Sequence, residues 1–290
     1  MYNNRTLPPN RFNVVDGIIS ELLPIWEDYS NCHYEYGDDC WRAALADITY
    51  KNPETFKSLI SHFDGKKLLR SLREHKDNCS RDQLIMFLTA LTIRDPQFGK
   101  YYASKLKKWR ISKRYTMTPS LYFWVKFISE PTQKNADLFF KTFYVELIPT
   151  LWYSKKILNY YNVPTQIDEK EHFAVRYKGI KHLLISTTYP SFAVHLTSWQ
   201  LYIVNKLGFE IPKNIKDNLV SFVNEFLPQN YLCLKLLGED IDLTKVYETF
   251  QPHNDFWWQR GSLSDIYIRE LNPKESRGNS IDKDILLVKL

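Results

Sequence analysis

Glycine is scarce in this sequence, at nine of 290 residues. Loops that hold phosphate groups through backbone amides need glycines at fixed spacings, and neither G-x-x-x-x-G-K-[ST] nor G-x-G-x-x-G occurs. The serine-hydrolase motif G-x-S-x-G and the zinc-protease motif H-E-x-x-H are missing too. These absences argue against P-loop nucleotide hydrolysis, dinucleotide-dependent enzymes, the common serine hydrolases and zinc-dependent proteases, and they favour a binding function.

Long apolar runs are also missing. The longest nearly apolar run, LIMFLTALTI at 84–93, has ten residues, whereas a membrane-spanning helix needs about 20. The first residues, MYNNRTLPPNRFN, contain neither the apolar region nor the small-residue cleavage site of a signal peptide. We therefore expect no membrane partner and a cytoplasmic location.

Cysteine pairs with metal-binding spacing are absent. The four cysteines are Cys32, Cys40, Cys79 and Cys233. This usage is typical of a reducing compartment. A zinc site could combine Cys32, Cys40 and Cys79 with His33 and His75, but zinc sites usually contain paired C-x2-C ligands. We favour buried, apolar roles for the cysteines and predict neither a metal nor a cofactor.

Helix-start signals recur along the first half of the chain. Asn52-Pro53, Asp95-Pro96 and Thr118-Pro119 each place a capping side chain before a proline, and SRDQ at 80–83 resembles a capping box. We predict a mostly α-helical protein of stacked antiparallel helical hairpins, a bundle or irregular solenoid. The predicted helices are 14–29, 39–50, 53–63, 66–76, 81–94, 96–113, 119–129, 134–147, 149–161, 191–208, 213–227, 229–237 and 242–251.

The polar, aperiodic stretch at 161–172 is the best candidate for a subdomain boundary. It separates an N-terminal helical subdomain, 1–162, from a C-terminal helical subdomain, 173–290, and both are expected to belong to one continuous unit. The segment 173–187 fits a β-hairpin or a poorly capped helix. Near the C-terminus, LSDIYIREL and KDILLVKL predict a small β-hairpin.

Acidic residues are absent from Pro96 to Ser129, a stretch that contains eight lysines and arginines, whereas the whole chain has a net charge of +6. On a helix, Tyr102, Leu106 and Trp109 would share an apolar face. Lys100, Lys107 and Arg114 would line the opposite face. The segment is therefore predicted to have one buried side and one basic side.

Three interpretations of the basic side remain open. It is a solvated surface, it binds an acidic protein surface, or it binds nucleic acid through phosphates, with Tyr101 and Tyr115 available for base stacking. We favour a non-catalytic scaffold, such as an adaptor, inhibitor or immunity-type protein, that binds an acidic protein. A second aromatic and basic stretch, NDFWWQRG at 254–261, either contributes to binding or covers a structural junction. The candidate partner-binding residues are Lys100, Lys107, Lys108, Arg110, Lys113, Arg114, Trp257, Trp258 and Arg260.

The sequence RSLREH, from Arg70 to His75, resembles the R-x4-6-H motif of the HEPN superfamily of helical domains. The resemblance implies a metal-independent ribonuclease in which the arginine and histidine of two subunits meet. Ser71 occupies a position where that family usually has a larger polar residue. The alternative, which we favour, is a helix surface on which Arg70 and His75 have no catalytic role.

Carboxylates cluster in EYGDDCWRAALAD, 35–47. Asp38 or Asp39 would most simply cap the helix that follows, because a negative charge is favourable at a helix N-terminus. A general acid and base pair drawn from Glu35, Asp38, Asp39 and Asp47 is the alternative.

Overall fold

Helices make up most of the protein where its structure, a computed structural model, describes it: residues 39–70, 72, 79–106, 118–161, 190–226 and 233–240. This part of the chain has no strand beyond one isolated antiparallel bridge, between Phe63 and Leu68. The prediction of a mostly helical protein is therefore confirmed. The helices are α1 (Asp39–Tyr50), α2 (Pro53–Ser61), α3 (Arg81–Arg94), α4 (Pro96–Leu106), α5 (Pro119–Ser129), α6 (Gln133–Tyr161), α7 (Pro190–Lys206), α8 (Lys213–Phe226) and α9 (Cys233–Leu236).

The N-termini of α2 and α5 form as the sequence predicts. The Asn52 side chain accepts a hydrogen bond from the Thr55 amide at 2.8 Å, and the Thr118 hydroxyl accepts one from the Leu121 amide at 3.2 Å. In both helices a proline occupies the first turn, where its missing N–H removes a donor that would have no partner within the helix.

The predicted capping box at α3 is wrong at Ser80. Ser80 is at the N-cap position, but its side chain makes no capping hydrogen bond and instead donates to the Asp82 carboxylate. The Gln83 side chain accepts a hydrogen bond from the Trp41 amide at 3.0 Å, so it makes a tertiary contact that caps the first turn of α1.

The centre of the core is α3. Ten of its fourteen residues, every one from Gln83 to Thr92, are buried, because α1, α4 and α7 pack against it from different sides. A helix that is covered all round needs no polar stripe. α5 packs against both α4 and α6, α8 contacts α6, and α9 contacts α7.

The structure differs from two of the helix predictions. Residues 133–161 form one helix, not two, and this helix continues through Pro149, where we predicted a break. Residues 66–70 are not helical, so the prediction of a helix over 66–76 is wrong there. Gly65 has a φ of 94° and Leu69 donates a hydrogen bond to the His62 carbonyl at 2.7 Å, which defines a tight reversal of the chain.

Several predictions lie outside the described residues. They are the helices at 14–29 and 242–251, the segment 107–113 of the predicted helix 96–113, the boundary at 161–172 apart from its first residue, the segment 173–187 and the C-terminal β-hairpin.

Candidate functional site

The part of the basic region that the structure describes lies on α4. This helix buries Gly99, Ala103 and Leu106, which recur at i, i+4 and i+7, and it exposes Lys100 and Lys105. α4 therefore has one side packed in the core as far as Leu106, and the predicted basic side, whose other residues Lys107 and Arg114 lie outside the described part of the chain, stays a prediction. The basic charges of α4 project from a helix whose other side is fixed in the core.

Gly99 sets the position of α4 on α3. A Cβ atom built at Gly99 would lie 3.0 Å from the Thr92 Cβ and 3.1 Å from the Thr92 Cα, and it would overlap the Thr92 hydroxyl. Real Cβ atoms are rarely this close to a backbone atom, so glycine is needed for the two helices to approach this closely. Asp95 forms the corner between them, since its carboxylate accepts a hydrogen bond from the Gln97 amide at 2.8 Å.

Two aromatic side chains are exposed beside the lysines of α4. Phe98 is 37% exposed and Tyr101 is 53% exposed. The Lys105 ammonium group lies 5.4 Å from the centroid of the Tyr101 ring, within the range of a cation–π interaction. We call the surface formed by Phe98, Lys100, Tyr101 and Lys105 the α4 face.

The core supports Tyr101 through its neighbour Tyr102. The Tyr102 ring makes edge contacts with Phe63 and Phe87, with centroids 5.3 and 5.5 Å apart. Tyr101 in turn makes an edge contact with Tyr102 at 5.1 Å. Perpendicular aromatic pairs at these distances are favourable, so Tyr101 rests on a ring that is itself held by two elements of the core.

Phe98 is supported by a second series of contacts. The centroids of the Phe98 and Phe56 rings are 5.0 Å apart. The Arg94 guanidinium lies 4.7 Å from the centroid of the same Phe56 ring. Arg94 also donates two hydrogen bonds to Asp47, one of them from Nε at 2.9 Å. Asp47, which is 1% exposed, therefore anchors a sequence of contacts that ends at the surface.

Asp47 has a structural role in this arrangement. Besides the bonds from Arg94, its carboxylate accepts a hydrogen bond from the Thr55 hydroxyl at 2.9 Å. The bond to Asp47 raises the pKa of Arg94 above its ordinary value. The other members of the predicted acidic cluster, apart from the backbone of Asp39 at the start of α1, lie outside the described residues.

Of the predicted partner-binding residues, the structure describes only Lys100, and it is exposed. The remaining predicted residues lie outside the described part of the chain: Lys107, Lys108, Arg110, Lys113, Arg114, Trp257, Trp258 and Arg260. Sequence reasoning missed Phe98. Its signal was its place three residues before Tyr101, since residues at i and i+3 share a helix face.

The proposed HEPN pair is described for one member only. Arg70 is half-buried at the end of the irregular segment 66–70, and its carbonyl oxygen accepts a hydrogen bond from the Cys40 amide at 3.1 Å. His75 lies outside the described residues. Arg70 is not in a helix, contrary to our prediction. A ribonuclease function that uses Arg70 and His75 stays a prediction.

The described cysteines are buried thiols that form no disulfide bond: Cys40, Cys79 and Cys233. Burial, followed by the nearby negative charge of Asp82, raises the pKa of the Cys79 thiol well above its ordinary value, and the charge of Arg70 opposes this only in part. Such a thiol is protonated and a poor nucleophile. Within the described residues no group of three or more His, Cys, Asp or Glu side chains is placed to hold a metal ion.

A half-buried carboxylate fixes the start of α5, the helix that packs against α4. Glu146 of α6 accepts hydrogen bonds from the Ser120 amide at 2.9 Å and from the Ser120 hydroxyl at 2.7 Å. Burial raises the pKa of Glu146, and it does so despite these hydrogen bonds and the positive charge of Arg81. The carboxylate thus joins α6 to the N-terminus of α5, where a negative charge is favourable.

We expect the Glu146→Gln variant to change the pH dependence of stability. Because its pKa is raised, Glu146 binds a proton more tightly in the native state than in the unfolded chain. The wild-type free energy of unfolding should therefore fall as pH rises from 4.5, the ordinary pKa of the group, through the higher native pKa. Glutamine does not titrate, so this fall should be smaller in the variant. Urea denaturation from about pH 4 to pH 8 measures it.

The matched control for this experiment is Glu210→Gln, which neutralises an exposed carboxylate. Its stability curve should run parallel to that of the wild type. Parallel curves for wild type and Glu146→Gln would contradict the prediction.

Comparison of the chain with protein-family models, with curated proteins and with solved structures finds no match in any of the three. Across the helices that the structure describes, none combines the length and apolarity that crossing a membrane requires. Function must therefore be argued from the chemistry of the site.

Proposed function

We propose that this protein is a non-catalytic helical scaffold, built of stacked antiparallel hairpins, that binds an acidic protein surface through the α4 face and the basic segment 107–114 that follows it. It would act as an adaptor, an inhibitor or an immunity-type partner. The observation that carries the proposal is the exposure of Lys100, Tyr101 and Lys105 on one side of a helix whose other side is buried. No acidic residue of the surrounding sequence, from Pro96 to Ser129, offsets this charge.

The chemistry of the α4 face fits a binding surface. Its side chains are two lysines and two aromatic rings. Lysine and aromatic groups offer positive charge and apolar area. Complementary charge speeds association and selects partners, and exposed aromatic side chains supply affinity.

The ring contacts favour a protein partner over a nucleic acid. Single-stranded nucleic acids bind proteins largely by stacking bases on open aromatic rings. The Tyr101 ring is already contacted by Lys105 and Tyr102, and the Phe98 ring packs at 30° on Phe56. Part of each ring is therefore covered, which leaves less of its face open for a base to stack on.

The Lys100→Glu/Lys105→Glu variant is expected to lose affinity for an acidic partner. A labelled poly-glutamate peptide of about 20 residues is the probe, and its affinity should fall about tenfold or more, because two attractive charges become repulsive. Wild-type affinity should also fall as salt rises from about 50 to about 200 mM, since exposed charges are screened. Fluorescence anisotropy measures both effects.

Lys141→Glu/Lys213→Glu is the matched control, because it makes the same change of charge at two exposed lysines on α6 and α8. It should retain more of the affinity than the α4 variant. Equal losses in both variants would show that net charge, not the α4 face, governs binding. A single-stranded RNA that binds more tightly than the peptide and is released by the α4 variant would overturn the acidic-protein assignment in favour of nucleic acid.

A further inference from the structure

Exposed apolar surface lies between the positive charges of the α4 face. Phe98, Tyr101 and Lys105 recur at i, i+3 and i+7, so they form one stripe along about two turns of the helix. Lys100 is exposed as well, about 100° around the helix from Tyr101. A partner that binds the lysines therefore lies close to the rings of Phe98 and Tyr101.

Charge alone would make a weak interface at this surface. Ion pairs between exposed side chains contribute little to affinity, because water and salt screen them and both side chains lose freedom. Apolar side chains packed against an aromatic ring contribute more, and binding energy concentrates at such residues. The composition of the face therefore favours a partner that supplies both kinds of group.

Contacts with neighbouring rings hold the rings of Phe98 and Tyr101 in place before a partner binds. Tyr101 contacts Tyr102, which contacts Phe63 and Phe87, and Phe98 packs on Phe56. A side chain that is already held loses little conformational entropy on binding, so more of its contact energy appears as affinity. In this respect Phe98 and Tyr101 differ from an exposed aromatic residue at the tip of a loop.

We propose that the α4 face recognises an acidic segment that also carries apolar side chains, with the carboxylates beside Lys100 and Lys105 and an apolar side chain packed on Phe98 and Tyr101. The inference rests on the proposed function, and it adds the chemical class of the partner. A purely acidic segment, or a phosphate polymer, would satisfy the lysines and leave the rings in water.

Two synthetic peptides of about 20 residues test the inference. Both contain the same number of glutamates, and the remaining positions are leucine in one peptide and serine in the other. Wild-type protein should bind the glutamate–leucine peptide about tenfold more tightly than the glutamate–serine peptide. In the Phe98→Ala/Tyr101→Ala variant this preference should fall to about twofold or less, while binding of the glutamate–serine peptide persists.

Tyr144→Ala is the matched control, since Tyr144 is an aromatic residue of α6 that is 36% exposed, and it should keep the preference for leucine. Tyr101→Ala alone, which leaves the Phe56–Phe98 contact in place, should lower the preference if the double variant does not fold. Urea denaturation of every variant shows which of them are folded.

The outcomes separate this inference from the proposed function. Equal affinity for the two peptides would overturn the inference and leave the acidic-protein scaffold standing. Binding of neither peptide would overturn the proposed function itself. A preference for leucine that survives in the folded variants would place the apolar contact away from Phe98 and Tyr101, and would also overturn the inference.

Discussion

Replacing Asp47 with alanine should destabilise the protein by about 3 kcal/mol, since removing one member of a buried ion pair leaves the other without compensation. Asp47 is 1% exposed and accepts hydrogen bonds from Arg94 and from the Thr55 hydroxyl. The alanine variant would remove all of these bonds at once. A loss of this size is a large part of the stability of an ordinary protein, which is about 5 to 15 kcal/mol.

The position of Arg94 sets the size of the loss. Its side chain is 20% exposed, so part of the guanidinium group can reach water when the carboxylate is gone. It also donates a hydrogen bond to the Asn52 carbonyl at 2.9 Å, which the variant would retain. For these reasons we expect a value toward the lower end of the roughly 3 to 5 kcal/mol seen for broken buried pairs.

Urea denaturation of Asp47→Ala measures the loss, and Asp137→Ala, which truncates an exposed aspartate of α6, is its control. The control should change stability by no more than about 0.5 kcal/mol. The double variant Asp47→Leu/Arg94→Met replaces the pair with apolar side chains and should be more stable than Asp47→Ala. An Asp47→Ala protein as stable as the control would show that Asp47 is not the anchor of these contacts.

Local signals were enough to predict most helix boundaries. Asn52-Pro53 and Thr118-Pro119 predicted the starts of α2 and α5 correctly, because a cap depends only on a side chain and on amides two or three residues away. The periodicity of Tyr102 and Leu106 likewise predicted which side of α4 would face the core.

Features that depend on distant residues were not predictable in the same way. The Gln83 side chain caps α1, which is 42 residues away along the chain, and Arg94 pairs with Asp47 at a separation of 47 residues. The residues that neighbour Gln83 and Arg94 in the sequence do not indicate that they contact Trp41 and Asp47. We grouped Asp47 with its acidic neighbours in the sequence, whereas its structural role comes from its pairing with Arg94 of α3.

The reversal at 66–70 shows the same limit. We predicted a helix over 66–76, but Gly65 adopts a positive φ and the Leu69 amide bonds to the His62 carbonyl. The left-handed Gly65 and the Asp64 carboxylate, which accepts hydrogen bonds from the Lys66 and Lys67 amides, turn the chain back. Of the described glycines, Gly65, Gly208 and Gly238 have positive φ, so in this glycine-poor sequence a glycine is a useful signal of a chain reversal.

Replacing Gly99 with alanine should destabilise the protein by about 1 to 3 kcal/mol, although alanine is the better helix former by about 1 kcal/mol. The added methyl group would lie 3.1 Å from the Thr92 Cα, a backbone atom that cannot rotate away. Relief would require α4 to move off α3. Thermal or urea denaturation should show the loss, and Gln97→Ala, at an exposed site in the same helix, should be close to neutral.

A double-mutant cycle with Thr92→Ala locates the cause of that loss. The Thr92 hydroxyl, which donates a hydrogen bond to the Leu88 carbonyl at 2.7 Å, lies where the new methyl group would go. Removing it should recover part of the stability of Gly99→Ala, with a coupling energy of about 0.5 to 2 kcal/mol. Strict additivity would show that the two positions do not collide.

The same variant connects the packing of α4 to its proposed role. If α4 moves off α3, the lysines and rings of the α4 face move with it. The contacts of Tyr102 with Phe63 and Phe87, which support Tyr101, would then be lost. We therefore expect folded Gly99→Ala protein to bind the glutamate–leucine peptide more weakly than wild type does, even though Gly99 is buried and cannot touch the peptide. Unchanged affinity would mean that the α4 face does not depend on this close approach of the two helices.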